Sequence, residues 1–375
     1  MRRFLHNLNR EKINGFFNPL VAVLVAFAVS GLMVMISGQD PIEAYLAIIK
    51  GAFGSATSFR NTLRYTFPIL LLALSFCLCN KCGYFNIGQE GQMYASVLAI
   101  CWIQRLFGEL PIPILILLML AGAMLAGGII SLIPAALKFI LGINEVVVAI
   151  LLNYILVSLS NYMLLYSGIA NPKSSVAKSI TIVPQIPLPV ILAASVIILL
   201  IYALVLKNTI PGFRLRICGH NPIFGQAMGL HTAKQMLIVA MFGGALSGLA
   251  ASGEIMGIYH EMYNAYADGM GFMGMTAALI GKSNAAGMLL GSLMLGALQG
   301  GAVNLSIATD TPAELVLVVR GFVMLFATIN LMQYFKEKSR QGKNERRVEK
   351  KKTPQPSKIN VKAAEKESVD EGSAE

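Results

Sequence analysis

The chain has 375 residues, 55% of them hydrophobic and only 13% charged, where globular proteins carry about 25% charged residues. That balance, with a mean hydropathy of +0.65, excludes an ordinary soluble domain and points to a polytopic membrane protein. The net charge of +11 does not mark a nucleic-acid surface, because the basic residues gather mainly at the two ends and in one internal loop, as cytoplasmic membrane segments do.

Ten apolar segments follow one another, at about 18–37, 66–79, 93–107, 112–136, 144–166, 187–206, 236–258, 270–281, 285–307 and 313–333. Most approach the ~20 residues that cross a bilayer. The eighth is short, and is expected to be re-entrant, tilted or broken. Ahead of the first, Met1-Arg2-Arg3 with Arg10 and Lys12 has the basic character of a signal peptide start. The apolar stretch behind it, Pro19 to Ile36, is too long and runs past the small Ala26-Phe27-Ala28 triplet, so it reads as an uncleaved span.

Between the second and third segments lies a polar, glycine-rich patch, Asn80-Lys81-Cys82-Gly83-Tyr84-Phe85-Asn86-Ile87-Gly88-Gln89-Glu90-Gly91-Gln92-Met93. Irregular backbone at membrane depth is tolerated only where protein or a watery cavity satisfies it. Asn86, Gln89, Glu90 and Gln92 supply hydrogen-bonding groups that anchoring does not need. The expectation is a broken-helix element lining a translocation path. Just before it, Cys77-x-Cys79-x-x-Cys82 has a metal-like spacing but no second Cys/His cluster, and it begins inside an apolar run. These are read as small hydrophobic cysteines, with no disulfide framework and no metal.

Segment five carries Asn153, Ser160 and Asn161 on one helical face. Polar groups on a spanning helix face the bundle interior or a water-filled path, so the stripe serves either solute contact or interhelical hydrogen bonding. Asn144-Glu145 at its start is a capping pair, Asn for the free N–H groups and Glu for the dipole. The loop after segment six, Lys207 to Lys234, is the longest on the cytoplasmic side. After its Asn221-Pro222 turn a short helix is expected to expose Phe224 and Met228, four residues apart, either as an ordinary surface helix or as a dock for a cytoplasmic partner.

Further on, Gly244/Gly248, Gly287/Gly291 and Gly296/Gly300 predict close helix contacts without naming the partner helix. Gly281-Lys282-Ser283 mimics the end of a P-loop, but Thr276 stands where that motif needs Gly and no strand precedes it. In segment nine Gln299 and Asn304 are read as path residues or packing groups. Arg320, inside the last segment, is expected to face protein or water and to make a structural ion pair.

Charge sets the orientation. With a cytoplasmic N-terminus, Lys81, Lys138, Lys207/Arg214/Arg216/Lys234, Lys282 and the basic tail all fall inside, whereas His260-Glu261, Asp268, Asp310 and Glu314 fall outside, together with the basic Lys50, Arg60, Arg64, Arg105, Lys173 and Lys178, so the bias is imperfect. The expected fold is an all-α polytopic membrane protein of about ten spans, some broken or re-entrant, with both termini cytoplasmic. Residues 1–17 form a cytoplasmic segment, 18–333 the transmembrane domain with a cytoplasmic loop at 207–235, and 334–375 a basic, disordered cytoplasmic tail beside anionic lipid.

Three stretches together resemble one family. Phe85 to Met93, Asn144-Glu145-Val146-Val147 followed by Asn153-Tyr154, and Arg214 to Gly229 are similar to the permease subunits of bacterial ABC importers, in the simple-sugar and nucleoside branch. Asp268-Gly269-Met270-Gly271-Phe272 with Ala277 to Gly281 is similar to the family's glycine-rich segment before its final helices. The resemblance covers about residues 18–333, and the tail is longer and more charged than the family requires. It implies a multi-pass subunit of the bacterial cytoplasmic membrane that pairs with a second permease chain, identical or homologous. It also implies an ABC ATPase on the cytoplasmic side and an extracytoplasmic solute-binding lipoprotein. On that analogy Arg214, Arg216, Gly219, Asn221, Pro222, Phe224, Met228 and Gly229 make the loop that contacts the ATPase. Asn86, Gln89, Glu90 and Gln92, with Asn153, Ser160, Asn161, Gln299 and Asn304, lie along the path. No catalytic residue and no cofactor are expected in this chain, ATP being bound by the partner subunit. The solute is expected to be a purine-type nucleoside or a related simple sugar.

An ion-coupled secondary transporter is the alternative, since it also uses broken helices and relies on embedded carboxylates. Here those are few, chiefly Glu90 and Glu254, both expected near an interface. An intramembrane enzyme would need paired catalytic groups at depth, and none of His6, His220, His231 and His260 falls clearly inside a span.

Overall fold

Helices make up the regular structure of the described residues, with isolated β-bridges joining Ala170 to Ser179 and Lys178 to Tyr263. The computed structural model describes residues 28–308 except 33, 37 and 39, together with 321, 322 and 325; for 303–308 it describes backbone only. Residues Met1–Ile329 and Asn330–Glu375 form two separate units, and the described residues belong to the first. Arg320, most of the last segment, the start of the first and the basic tail lie outside the described residues.

The helices, in order, are α1 (Pro41–Phe53), α2 (Ala56–Asn80), α3 (Gln89–Phe107), α4 (Ile112–Leu141), α5 (Glu145–Tyr166) and α6 (Leu188–Asn208). They continue with α7 (Ile210–His220), α8 (Pro222–Ala227), α9 (Thr232–Glu254), α10 (Met270–Ile280) and α11 (Ala285–Ala308). Six of them, α2, α4, α5, α6, α9 and α11, are long and apolar enough to cross a membrane, or up to seven spans if 28–36 and α1 count as one bent pair. Ten were expected. Of the remainder, α10 has 11 residues, too few to span, and α3 begins with the polar Gln89-Glu90-Gly91-Gln92.

Helix α2 is the centre of the bundle. It starts ten residues before the apolar segment at 66, capped by Ser55, whose Oγ accepts from Ser58 N at 3.0 Å. Its polar first half stays helical because Thr62 and Thr66 bond backbone carbonyls, Ala52 O at 2.9 Å and Thr62 O at 2.7 Å. Such hydroxyls are satisfied without water. The hydropathy signal therefore fades where the helix does not.

Helix α9 runs antiparallel to α2. Cys79 meets Val239, Ser75 meets Ser247 at 3.2 Å, and Phe67 meets Gly253. Helix α4 packs on α9, and α11 packs on α2. Each of α2 and α9 is followed by a turn that leads into a helix starting inside the bundle, α3 and α10. The order α2–α3–α4 is thus repeated by α9–α10–α11 in the opposite sense, an inverted arrangement familiar among transporters.

The glycine pairs find their partners here. A Cβ on Gly244 would collide with the backbone of Gly127 on α4, and one on Gly296 with Thr66 on α2. Replacing Gly244 with Leu is expected to cost at least about 2 kcal/mol by overpacking. The check is the melting midpoint and membrane abundance of the solubilised protein; an unchanged midpoint overturns the contact.

Candidate functional site

The turn after α2 is built tightly. Cys82 N and Tyr84 N both return to Cys79 O, at 3.0 and 3.1 Å, and Gly83 takes φ +78, the left-handed region that favours glycine. Tyr84 is fully buried and its hydroxyl donates to Ser131 O at 3.2 Å, fastening the turn to α4. Phe85 to Gly88 then runs back into the bundle without helical bonds, and α3 begins beside Leu72, in the body of α2.

Four of the expected polar residues meet at this point. Asn86 and Gln92 form a reciprocal amide pair, Nδ2 to Oε1 at 3.3 Å and Nε2 to Oδ1 at 2.9 Å, and Asn86 Oδ1 also accepts from Gly88 N at 3.1 Å. Gln89 Nε2 donates to Leu72 O at 2.6 Å, while its Oε1 has no partner among the described residues. From α5, Asn153 Oδ1 accepts from Gly91 N at 2.9 Å and its Nδ2 donates to Ile87 O at 3.1 Å. Side-chain amides thereby satisfy the Gly88 and Gly91 N–H groups and the Ile87 carbonyl of this irregular stretch.

Glu90 is half-buried at the same helix start. There α10 comes closest, since a Cβ on Gly271 would stand 3.1 Å from Glu90 N and 3.4 Å from Gln89 Cβ. The N-termini of α3 and α10, and with them the positive ends of both helix dipoles, converge inside the bundle.

The other expected path residues lie on α5 and α11. Ser160 is buried and donates to Val157 O of its own helix at 2.8 Å. Asn161 is half-buried, with Oδ1 unpartnered among the described residues. Gln299 is half-buried on α11, a helix that packs on α1, α2 and α10. Asn304 is on α11 too, and its side chain lies outside the described residues.

Beside the turn after α2, Asn144 caps α5 by accepting from Val146 N at 2.9 Å. Glu145 pairs with Lys138 at 2.5 Å and accepts from Phe85 N at 3.4 Å, while Lys138 Nζ donates to Gly83 O at 3.0 Å. This charge-assisted knot ties the ends of α4 and α5 to the turn. The cysteine triplet is buried throughout. Burial, with Cys218 close by, pushes the Cys82 thiol up to about 12, so it stays protonated.

The loop after α6 folds as two short helices. Thr209 Oγ1 caps α7 from Gly212 N at 3.3 Å, and Asn221 Oδ1 caps α8 from Phe224 N at 3.0 Å, with Pro222 in the first turn. Cys218 and Leu215 are buried, whereas Gly219 lies so close to the Lys81 backbone that a Cβ there would collide. The loop is therefore seated directly on the turn after α2. Arg214 points to solvent and Arg216 is half-buried. Phe224 and Met228 are 54% and 52% exposed, the surface the spacing predicts, and Gly229 closes the turn through its N–H to Gln226 O at 2.9 Å.

Sequence reasoning passed over a second cluster. Glu254, expected near an interface, is 1% exposed at the end of α9, and neither carboxylate oxygen has a hydrogen-bond partner among the described residues. A π-helical turn, Ile255–Tyr259, follows it directly. Tyr259, Tyr263, Tyr266 and Tyr94 then form a ladder, with ring centroids 5.1, 6.4 and 5.0 Å apart in succession. Arg64 of α2 lies over the rings of Tyr259 and Tyr65, at 4.9 and 5.5 Å. The available signal was the spacing of tyrosines 259, 263 and 266 behind a carboxylate in an apolar run. Loop 167–187 holds this segment in place through Ser179 N to Met262 O at 2.8 Å, Ile182 N to His260 O at 2.7 Å and the Lys178–Glu261 ion pair at 2.5 Å. A cleft of about 510 Å³ beneath that loop, lined by Arg105, Leu164 and Asn171 among others, shares none of the ladder residues.

Comparison with known proteins agrees with this geometry. Residues 58–328 match the family model described as branched-chain amino acid transport system / permease component. The guanosine ABC transporter permease protein NupP of Bacillus subtilis is 30% identical, over 84% of this chain and 94% of its own. The nucleoside ABC transporter permease protein NupB of Lactococcus lactis is 29% identical, over 84% and 91%. The glucose ABC transporter permease protein TsgB13 of Haloferax volcanii is 29% identical, over 82% and 86%. No solved structure matches. A multi-pass helical bundle with broken helices at its centre, matched by the family over most of its length, belongs to the permease component family of the branched-chain amino acid transport systems, a family of ABC transporter permeases.

Proposed function

We propose that this chain is the membrane subunit of an ATP-driven importer of purine-type nucleosides, or of a related simple sugar, and that it works by alternating access. The observation that carries the solute class is its similarity, over most of both chains, to guanosine and nucleoside permeases. In this reading it sits in the bacterial cytoplasmic membrane with about ten membrane segments, some of them broken or re-entrant, and both termini cytoplasmic. Residues 1–17 form a short inner segment, 18–333 the permease and 334–375 a basic tail against anionic lipid.

An ABC ATPase binds and hydrolyses ATP and docks on the 207–235 loop, where Arg214, Arg216, Gly219, Asn221, Pro222, Phe224, Met228 and Gly229 shape the contact. A second permease chain completes the pore, and an extracytoplasmic lipoprotein delivers solute. This subunit contributes no catalytic group and no cofactor. Asn86, Gln89, Glu90, Gln92, Asn153, Ser160, Asn161, Gln299 and Asn304 lie along the path, with Asn86, Gln92 and Asn153 also forming its wall. The meeting of two helix N-termini beside Glu90 supports a polar waypoint there.

The test is uptake of labelled guanosine and labelled ribose by cells with and without the chain, with ATP depleted in parallel. Guanosine uptake that needs both chain and ATP supports the reading. Ribose uptake under the same conditions moves the solute class. Uptake that survives ATP depletion but collapses with a protonophore replaces the mechanism with ion coupling. Replacing Glu90 with Gln is expected to change the uptake rate several-fold at unchanged abundance; loss of the protein itself would make Glu90 a packing residue.

A further inference from the structure

Glu254 is an unusual group to find in a bundle interior. A buried carboxylate normally takes hydrogen bonds or an ion pair, because losing water without replacement is costly. Glu254 has neither among the described residues. Arg64 is the cation that faces it electrostatically, yet no ion pair joins them. The guanidinium is instead held on the faces of Tyr259 and Tyr65, with its Nε buried and unpartnered. Tyr266 is buried, with its hydroxyl also unpartnered among the described residues, and Glu254 and Glu90 both act on it electrostatically. Glu254, the Arg64 Nε and the Tyr266 hydroxyl are thus three polar groups without a hydrogen-bond partner among the described residues, and the tyrosine ladder joins Arg64 to Tyr266. Arg64, Tyr65, Tyr259 and Tyr263 are half-buried, so one side of the cluster remains accessible. The π turn directly after Glu254 widens the backbone at this point, as such turns do at functional sites.

We propose that Glu254, with Arg64, Tyr266 and the tyrosine ladder, is a solute-selecting subsite on the outer half of the path. The subsite deepens the nucleoside reading and rests on it. The carboxylate accepts two adjacent donors of a neutral solute, and the tyrosine rings take the flat face of its base. Two parts of a purine nucleoside offer such a pair: the N1–H and exocyclic amine of guanine, and the 2′- and 3′-hydroxyls of ribose. A carboxylate serves either with both oxygens. Arg64, which lies on the rings of Tyr259 and Tyr65 and makes no ion pair with Glu254 among the described residues, leaves those oxygens open to solute.

The experiment measures uptake at saturating solute by the complete transporter in cells, for guanosine, inosine (no exocyclic amine) and 2′-deoxyguanosine (no 2′-hydroxyl). Saturation matters because a separate binding protein sets the apparent affinity, whereas the ratio among solutes at saturation reports on the membrane subunit. Glu254→Gln keeps the shape but replaces one acceptor with a donor. It is expected to lower guanosine uptake about tenfold more than uptake of the analogue lacking the recognised donor. A selective loss that spares inosine assigns the base edge, and one that spares 2′-deoxyguanosine assigns the ribose. Tyr266→Phe, which removes only an unpartnered hydroxyl, is expected to shift the same ratio several-fold with the protein fully abundant. Equal loss for all three solutes, or unchanged ratios in Tyr266→Phe when Glu254→Gln fails to insert, overturns the subsite and leaves the nucleoside reading standing. A wild-type chain that carries none of the three overturns the reading and the subsite together.

Discussion

Replacing both Phe224 and Met228 with Asp is expected to abolish ATP-dependent uptake while leaving membrane insertion intact. Both side chains are more than half exposed on α8 and its cap, so the change removes no core packing. Apolar anchors at the centre of a protein interface contribute about 2–4 kcal/mol each, which corresponds to at least a thirtyfold loss of docking for one such anchor. Introduced carboxylates add desolvation to that loss. The measurement is uptake alongside membrane abundance and co-purification of the ATPase subunit. Retained uptake removes α8 from the coupling role. The position of the loop explains why a dock here would be felt inside the membrane: Gly219 of α7 rests on Lys81, and the turn that follows leads through Tyr84 into the start of α3.

Replacing Asn153 with Leu is expected to destabilise the bundle by about 2–6 kcal/mol, because two buried backbone groups each lose a partner at about 1–3 kcal/mol. These groups are Gly91 N–H and Ile87 C=O, bonded now at 2.9 and 3.1 Å. Asn153→Asp keeps the acceptor for Gly91 and loses the donor to Ile87, so an intermediate loss is expected. Melting midpoints of the solubilised proteins read both effects. A Leu variant of normal stability and abundance that fails to transport would make Asn153 a solute contact and not a wall residue.

Much of the architecture was legible in the chain. Repeated apolar runs with few charges dictate helices in lipid, because only helices satisfy their own backbone there. The short run at 270–281 read as re-entrant, tilted or broken, and it is an 11-residue helix starting inside the bundle. The polar patch at 80–93 read as a break, and α3 begins within it. The caps at Asn144 and Asn221 were local matters of side-chain reach, which spacing reports well.

What sequence left open was partnership. Glycine pairs announced close contact but could not say that Gly244 meets Gly127 or that Gly296 meets Thr66, since those residues are far apart in the chain. The expected path amides could not be told from wall amides. Asn86 and Gln92 bond each other, and Asn153 reaches the Gly91 N–H and the Ile87 carbonyl from α5, a choice made by the packing of α5 on α3. Glu254 read as a group near an interface and Arg64 as an external charge, because hydropathy counts neighbours along the chain. In the folded protein the antiparallel pairing of α2 and α9 decides their burial. The sequence by itself determined a membrane bundle with a break at its polar patch and capped helix starts, because those follow from backbone satisfaction and local capping. Only the tertiary structure decided which polar groups close on one another and which remain open, because a buried hydrogen bond depends on what another helix brings to within about 3 Å.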